Sequence, residues 1–242
     1  MRRLFRELKN SLMHLCYPIG CLHCEELLAP DGTFLCDACG SLLQQLEGEE
    51  RCQSCFNLRS QTSTHCPYCQ KRPSLYYRSA AVFPFVGPAA SMVKKMKYSG
   101  RPYLAKGMGA FMAAQFVQLE WPIPDAIIPV PISFSHWLSR GYNQSALLAQ
   151  ELANILQVPV WPILKRSGLG ISQAGLTLEQ RQQLEDRQFS LKNSFPIQDK
   201  VLLVIDDVTT SGSTLQKCAE TLYERCPTSL YALTFCKTEL GL

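Results

Sequence analysis

The sequence predicts an α/β protein, in which a parallel sheet carries helices on both faces and a small cysteine-rich module lies at the N-terminal end. From about residue 76, short apolar segments alternate with segments of helical periodicity, as in folds whose strands are connected by helices. Most of these short segments are apolar throughout, which is typical of strands buried on both faces. The third observation is the crowding of cysteines, since nine of the twelve lie before residue 70.

The composition limits the size and class of the protein. A chain of 242 residues accommodates one ordinary domain plus a small one, and 46% hydrophobic residues supply a core. The charged fraction of 18% is too low for a disordered chain, and a net charge of +4 does not by itself indicate nucleic acid. No apolar run approaches the ~18 residues of a membrane helix, and no secretory signal is evident, so we expect a cytoplasmic protein.

Residues 1–20 predict an amphipathic N-terminal helix. Leu4, Leu8, Leu12 and Leu15 fall on one helical face, whereas the core of a secretory signal would be continuously apolar. We expect this face to pack on the protein, and contact with a membrane or a partner is the alternative.

Residues 21–75 predict a module, similar to a double zinc ribbon, that binds two structural zinc ions. Four C-x-x-C pairs are separated by 11, 12 and 10 residues, and two such pairs make a tetrahedral site of four thiolates. The simplest pairing is sequential, with Cys21, Cys24, Cys36 and Cys39 around one ion and Cys52, Cys55, Cys66 and Cys69 around the other. A crossed pairing, a disulfide framework, redox motifs, and ligation by His23 or His65 are the alternatives.

The charge of the N-terminal part gives no electrostatic signature of DNA binding. Residues 1–75 contain eight basic and eight acidic side chains. Zinc is expected here to replace a hydrophobic core that the segment is too short to build, and the module could also present a surface to a partner.

The elements of residues 76–242 follow from their apolar patterns. Predicted strands cover 76–85, 125–131, 158–164, 201–205 and 229–235, and predicted helices cover 102–119, 143–156, 177–186 and 213–225. Ligands of parallel sheets bind beyond the carboxyl ends of the strands, which places the candidate sites after residues 130, 164 and 205.

The stretch VLLVIDDVTTSGST at 201–214 carries the strongest binding signal. An apolar strand is expected to end at Asp206 and Asp207, and a loop of small residues then leads into a helix. Free backbone N–H groups and the dipole at the helix start favour a phosphate, which Gly212 allows to approach the backbone. The carboxylates would repel that phosphate but accept hydrogen bonds from ribose hydroxyls, so the stretch predicts a ribose 5-phosphate site. A capped helix beside two solvated aspartates is the alternative, and the missing G-x-x-x-x-G-K-[ST] pattern excludes a P-loop.

These residues resemble the phosphoribosyl-pyrophosphate (PRPP) motif of type I phosphoribosyltransferases. The resemblance covers the apolar strand, the acidic pair and the loop, and it departs at Ser211, where a threonine is usual. It implies a type I phosphoribosyltransferase-like domain over 76–242 that binds PRPP together with Mg²⁺. The implied PRPP-binding residues are Asp206, Asp207, Thr210, Ser211, Gly212, Ser213 and Thr214.

Further segments resemble the ComF family, whose members also carry N-terminal zinc knuckles. VKKMKYSGRP at 93–102, IIPVPISFSHWLSRGYNQSALLA at 127–149 and GISQAGLTLEQRQQL at 170–184 are similar to its motifs and follow the same order. The resemblance implies a role in competence for DNA uptake or in the use of DNA, and the family is often labelled amidophosphoribosyltransferase-like. Basic residues are frequent in the family at Ser135 and His136, so we expect a weaker or pH-sensitive affinity for pyrophosphate here.

The resemblance leaves an enzyme and a binding protein as the two classes of function. The enzyme would be a phosphoribosyltransferase that acts on PRPP, and no residue identifies its acceptor or a certain catalytic group. Arg140, Lys165 and Arg166 are the catalytic candidates, because they follow predicted strands and could neutralise phosphate oxygens. The glycine-rich run at 167–175 is expected to be a mobile flap over the site, or else a long exposed loop.

The alternative is a non-catalytic protein that senses PRPP or a nucleotide, or that binds single-stranded DNA or a partner such as a competence helicase-type protein. Segment 79–119 contains no acidic residue, and its basic side chains alternate with two tyrosines, as in single-strand binding grooves. A hood over PRPP and a solvated helix face are the other interpretations. The residues concerned are Lys94, Lys95, Lys97, Tyr98, Arg101, Tyr103 and Lys106.

Overall fold

The computed structural model describes residues 20–28, 34–59, 66–166, 188–192 and 195–239. The predicted helix at 177–186, the glycine-rich run at 167–175 and His65 lie outside these residues, as does the predicted helix at 1–20 except for Gly20. Within the described part of the chain, no helix is long and apolar enough to cross a membrane.

Helices and strands alternate along the described residues. In chain order they are α1 (Asp37–Gly40), α2 (Pro67–Lys71), β1 (Arg78–Pro84), α3 (Gly87–Tyr98), α4 (Leu104–Gln118), β2 (Ala126–Pro129), α5 (Phe134–Arg140), α6 (Gln144–Leu156), β3 (Leu164–Arg166), β4 (Phe189–Leu191), β5 (Val201–Thr209), α7 (Ser213–Tyr223) and β6 (Ser229–Lys237).

The main sheet has four strands in the order β1-β6-β5-β2, and every neighbouring pair is parallel. Alternate residues of β5 enter two separate apolar cores, with Leu203 and Ile205 on one face and Leu202 and Val204 on the other. Both faces of the sheet are therefore buried, and the predicted α/β fold class is confirmed.

The two faces carry different helices. Helices α3, α4 and α6 pack on the face of Leu203 and Ile205, and α7 packs on the opposite face. Helices α4 and α6 approach closely at Gly109, where a Cβ atom would lie 2.5 Å from Glu151 Cβ. This packing leaves the carboxyl ends of β2 and β5 side by side at one edge of the sheet.

The strand predicted over 158–164 is only partly present. Val160 makes a single parallel bridge to Ile127 of β2, because Pro159 and Pro162 have no backbone N–H to donate to a continuous ladder. The chain then enters β3, which pairs antiparallel with β4 in a separate two-stranded sheet. Lys165 and Arg166 therefore belong to that small sheet, and not to the carboxyl edge of the main sheet as the sequence predicted.

Strand β5 is longer than predicted. It continues through Asp206 and Asp207 to Thr209, because β6 offers paired positions as far as Lys237. The acidic pair consequently lies inside a strand, and its two side chains start out toward opposite faces of the sheet.

The cysteine-rich segment packs directly on β1. Two short antiparallel bridges, Gly20–Leu27 and Arg51–Leu58, enclose the first pair of cysteines of each cluster. The backbone N–H of Leu46 donates to Val82 O, and Leu22, Leu46 and Phe56 join the apolar core on that face of the sheet. The domain boundary near residue 75 stays a prediction.

Candidate functional site

The eight knuckle cysteines form two clusters in the sequential pairing. In each cluster the four sulfur atoms lie within 4.8 Å of one another, and the groups are Cys21, Cys24, Cys36 and Cys39, and Cys52, Cys55, Cys66 and Cys69. A zinc ion with four thiolate ligands at 2.3 Å separates the sulfur atoms by about 3.8 Å. Measured separations of 3.6 Å for Cys24–Cys36 and 3.5 Å for Cys55–Cys66 fit that geometry. Both clusters could therefore hold structural zinc.

The same distances argue against the alternatives. Sulfur atoms 3.5–3.7 Å apart are not bonded, since a disulfide bond is about 2.05 Å long. His23 lies outside the first cluster and its Nδ1 contacts Ser91 Oγ at 2.9 Å. Four sulfur ligands and no histidine are therefore the donor set of the first cluster, and ligation by His65 stays untested.

The carboxylates of Asp206 and Asp207 have different partners. Lys97 Nζ, at the end of α3, donates to Asp207 Oδ1 at 2.9 Å, and Asp207 is 5% exposed. Ser145 Oγ, at the start of α6, donates to Asp206 Oδ1 at 2.7 Å, as does the backbone N–H of Asp207 at 2.9 Å. One acid is thus neutralised by an ammonium group, while the other is held by neutral donors.

This difference appears in the acidity of Asp206. Burial and, after it, the neighbouring charge of Asp207 raise the pKa of Asp206 to about 7, although the hydroxyl of Ser145 opposes the shift. A carboxyl group in this state changes its protonation near neutral pH. It can accept hydrogen bonds from a ligand once it is ionised.

The loop after β5 caps the start of α7 only in part, since the backbone N–H of Ser213 donates to Ser211 Oγ at 3.4 Å. Gly212 adopts a left-handed conformation with φ of 75°, and no side chain from this N-cap position closes the helix. Ser211 Oγ donates to Ser213 Oγ at 3.2 Å, so the hydroxyls of the predicted phosphate loop lie close together. Thr210 and Thr214 flank this turn in the sequence.

A basic pocket of about 280 Å³ lies beside the acidic pair, after β2. Its walls include Lys97, Tyr98, His136, Arg140 and Tyr142. The guanidinium of Arg140 lies 5.3 Å from the ring centre of Tyr98 and donates to Gln144 Oε1 at 3.1 Å. Burial, together with the positive charge of Arg140, lowers the pKa of His136, which favours its neutral imidazole.

The three catalytic candidates are not brought together. Arg140 lines the basic pocket. Arg166 stacks over the ring of Phe189 at 5.7 Å and exerts a positive potential at His136. Lys165 is exposed on β3. Only Arg140 therefore contacts the pocket that the sequence predicted for pyrophosphate.

The predicted basic patch is divided among several partners. Lys94 lies over the ring of Phe85, Lys95 faces Glu25 at 3.8 Å, and Lys97 binds Asp207. Tyr98 and Tyr103 keep large exposed surfaces. A single-strand groove along this patch stays a prediction.

Sequence reasoning missed the contacts of Lys97 and Ser145 with the acidic pair. Lys97 belongs to the predicted basic patch, and Ser145 lies inside the family-like segment 127–149 but carries no signal of its own. Tyr142 Oη also donates to Met96 O at 2.5 Å and so connects α3 to the turn before α6. No local sequence pattern predicts this contact.

Comparison with known proteins places the chain in a family. No family model matches it. A purine phosphoribosyltransferase from Pyrococcus horikoshii shares 16% identity over 55% of this chain and 75% of its own, but its TM-score of 0.35 is too low to support an argument. DNA utilization protein YhgH of Salmonella typhi is 27% identical over 93% of this chain and 99% of its own. Competence protein F of Haemophilus influenzae is 30% identical over 213 residues, covering 84% of this chain and 90% of its own. The chain therefore belongs to the competence protein F family.

Proposed function

We propose that the protein binds PRPP with Mg²⁺ at the carboxyl ends of β2 and β5, and that it acts in the uptake or use of DNA. The proposed ligand residues are Asp206, Asp207 and the loop of residues 210–214. The names of the relatives, a competence protein and a DNA utilization protein, support the biological role.

The observation that carries the proposal is that Lys97 contacts two regions at once. Its ammonium group binds Asp207, and its side chain also lines the basic pocket with His136 and Arg140. An acidic edge that suits ribose hydroxyls thus adjoins a basic pocket that suits pyrophosphate. PRPP carries both groups on adjacent carbon atoms, so one ligand can occupy both regions.

Each part of PRPP has a matching group. The 5-phosphate suits the start of α7, where free backbone N–H groups and the dipole favour an anion. The ribose hydroxyls suit the carboxylates, once Lys97 turns from Asp207 toward the pyrophosphate. Mg²⁺ would neutralise pyrophosphate oxygens, and Asp207 is the carboxylate best placed to share it.

Transfer would follow from the same arrangement. A lone pair of the acceptor forms a bond to ribose C1 while the bond from C1 to the pyrophosphate oxygen breaks, and pyrophosphate leaves with that electron pair. Lys97 and Arg140 stabilise the charge that develops on the leaving group. Holding the acceptor and C1 together supplies the remaining acceleration.

Calorimetric titration with PRPP and Mg²⁺ tests the binding step. Asp207→Asn is expected to weaken binding at least thirtyfold, because the carboxylate is lost as an acceptor. Asp125→Asn is the matched control, since Asp125 also pairs with a lysine, Lys200 at 3.0 Å, but at the opposite end of β5. Equal affinity of wild type and Asp207→Asn would exclude the proposed site.

Pyrophosphate release separates an enzyme from a sensor. The protein is incubated with PRPP, Mg²⁺ and a panel of amines and bases. Sustained release that disappears in Asp207→Asn supports a transferase, whereas tight binding without release with every acceptor in the panel supports a PRPP sensor.

Binding of single-stranded DNA is the second candidate, because α5 exposes two aromatic rings. Phe134 and Trp137 are 70% and 50% exposed, and their rings stack with centres 6.1 Å apart, one turn before Arg140. Such rings can stack on bases. Fluorescence of Trp137 should be quenched by single-stranded DNA, and Trp137→Ala should weaken binding tenfold while Tyr77→Ala does not. Absence of salt-dependent binding would exclude this candidate.

A further inference from the structure

A second cavity of about 300 Å³ lies between the second cysteine cluster and the loop that opens α7. Cys55 and Asn57 line it on the side of the cluster, and Ser211 and Gly212 line it on the side of the loop. Lys237, the last residue of β6, reaches it from the sheet. The residues that contact this space come from four parts of the chain, so only the folded protein forms it.

Lys237 is the unusual member of this lining. It is 3% exposed, and among the described residues its ammonium group has no hydrogen-bond or ion-pair partner. The nearby carboxylate of Glu239 is engaged elsewhere, because Arg51 binds it at 2.7 Å. Lys237 Nζ is not one of the fully buried atoms that lack a partner, so the tip of this otherwise buried side chain is accessible from the cavity, where an anion can reach it.

The rest of the lining also favours an anion. Lys71 and Arg72 add two positive charges at the exposed rim, and no aspartate or glutamate lines the cavity. The rings of Phe56 and Tyr76 contribute apolar surface, and both side chains are almost fully buried. The space therefore suits a small ligand with an oxyanion at one end and an apolar body.

The cysteine cluster does not remove the need for such a ligand. Asn57 Nδ2 donates to Cys55 Sγ at 3.4 Å, whereas Lys237 makes no hydrogen bond to a thiol. Thiolates on zinc would lower the electrostatic energy of Lys237 from a distance, but they leave its N–H donors unused.

We propose that this cavity binds the oxyanion of a small ligand, a phosphate or a carboxylate, through Lys237, with the second cysteine cluster as one wall. The cavity does not include the acidic pair of β5, but it shares Ser211 and Gly212 with the loop proposed for the 5-phosphate of PRPP. It would give the cluster a role in ligand binding in addition to its structural one.

Calorimetric titration of the full chain with inorganic phosphate and with benzoate tests the proposal. At least one probe should bind, and Lys237→Met should weaken that binding at least tenfold, while Lys237→Arg should recover part of it. Lys200→Met is the control, because Lys200 lies at the opposite end of the sheet beside Asp125. Benzoate binding reports on the apolar rings of Phe56 and Tyr76, which lie outside the phosphate loop.

Crystals soaked in selenate provide a second measurement that is independent of variant folding. Anomalous scattering should place selenium within hydrogen-bond distance, through its oxygens, of Lys237 Nζ. The proposal is wrong if the cavity holds no selenate, or if Lys237→Met binds both probes as the wild type does. Asp207→Asn should weaken PRPP binding and leave benzoate binding unchanged, so failure of one proposal is distinguishable from failure of the other.

Discussion

Two regions of the protein bury groups that can carry charge, and they compensate that charge to different degrees. In the second cysteine cluster, four thiols converge within 4.8 Å, in a geometry that fits a metal ion. In β5, two adjacent carboxylates have one ammonium group between them, because Lys97 binds Asp207 while Asp206 is held by Ser145 and a backbone N–H. A metal ion would complete the first region, whereas the second lacks a charged partner for one of its acids.

This difference separates structural from binding chemistry. Groups whose charge is fully matched within the protein hold the fold together, and their removal is costly. Groups that remain under-compensated have shifted pKa values, lower the stability, and are available to a ligand. The comparison therefore predicts opposite signs for substitutions in the two regions.

Removal of a metal ligand should have the largest effect. Cys55→Ser is expected to lower the zinc content by about one ion and to reduce the free energy of unfolding by roughly 3–5 kcal/mol, because metal binding stabilises only the folded state. Elemental analysis and urea unfolding measure the two quantities. Cys226→Ser is the control, since Cys226 is exposed and lies outside both clusters. Unchanged zinc content in Cys55→Ser would refute the cluster.

Asp206→Asn should raise the free energy of unfolding, and the size of this gain should depend on pH. The pKa of Asp206 is raised to about 7 in the folded protein, above its value in the unfolded chain, so ionisation reduces stability as the pH rises toward 7. Between about pH 4 and pH 8, the free energy of unfolding of the wild type should therefore fall by roughly 2–4 kcal/mol relative to that of Asp206→Asn.

Urea unfolding of both proteins across this pH range gives the difference curve. Contributions of the cysteine clusters are common to the two proteins and cancel. A difference that stays constant from pH 4 to pH 8 would show that Asp206 is ordinary, and the contrast between the two regions would then disappear.

Lys97→Met tests the compensated acid of the same strand. The substitution keeps the apolar stem and leaves Asp207 buried without its cation. We therefore expect the free energy of unfolding to fall by roughly 1–3 kcal/mol at pH 8. The double variant with Asp207→Asn should recover most of this loss, because the unpaired charge is gone. Additive losses in the double variant would mean that the ion pair at 2.9 Å contributes nothing of its own.

The two regions also differ in how far the sequence could predict them. The spacing of the C-x-x-C pairs sufficed for the two clusters, because each motif contains its ligands locally. The apolar run of β5 located the acidic pair, yet the extension of the strand to Thr209 depended on the length of β6. Lys97 and Lys237 approach their sites only through the tertiary fold, and the prolines near Val160 overrode an apolar pattern that favoured a full strand.

Glu25→Gln should have the smallest effect of these substitutions on the free energy of unfolding. Glu25 faces Lys95 at 3.8 Å, and the Glu25 side chain is 83% exposed, so water and salt already screen the pair. We expect a change below about 0.5 kcal/mol in urea unfolding at either low or high salt. The same change in charge at Asp207 is expected to alter both stability and PRPP affinity. If Glu25→Gln proved as disruptive as Lys97→Met, the number of ion pairs, and not their burial, would govern stability, and the distinction between compensated and under-compensated regions would fail.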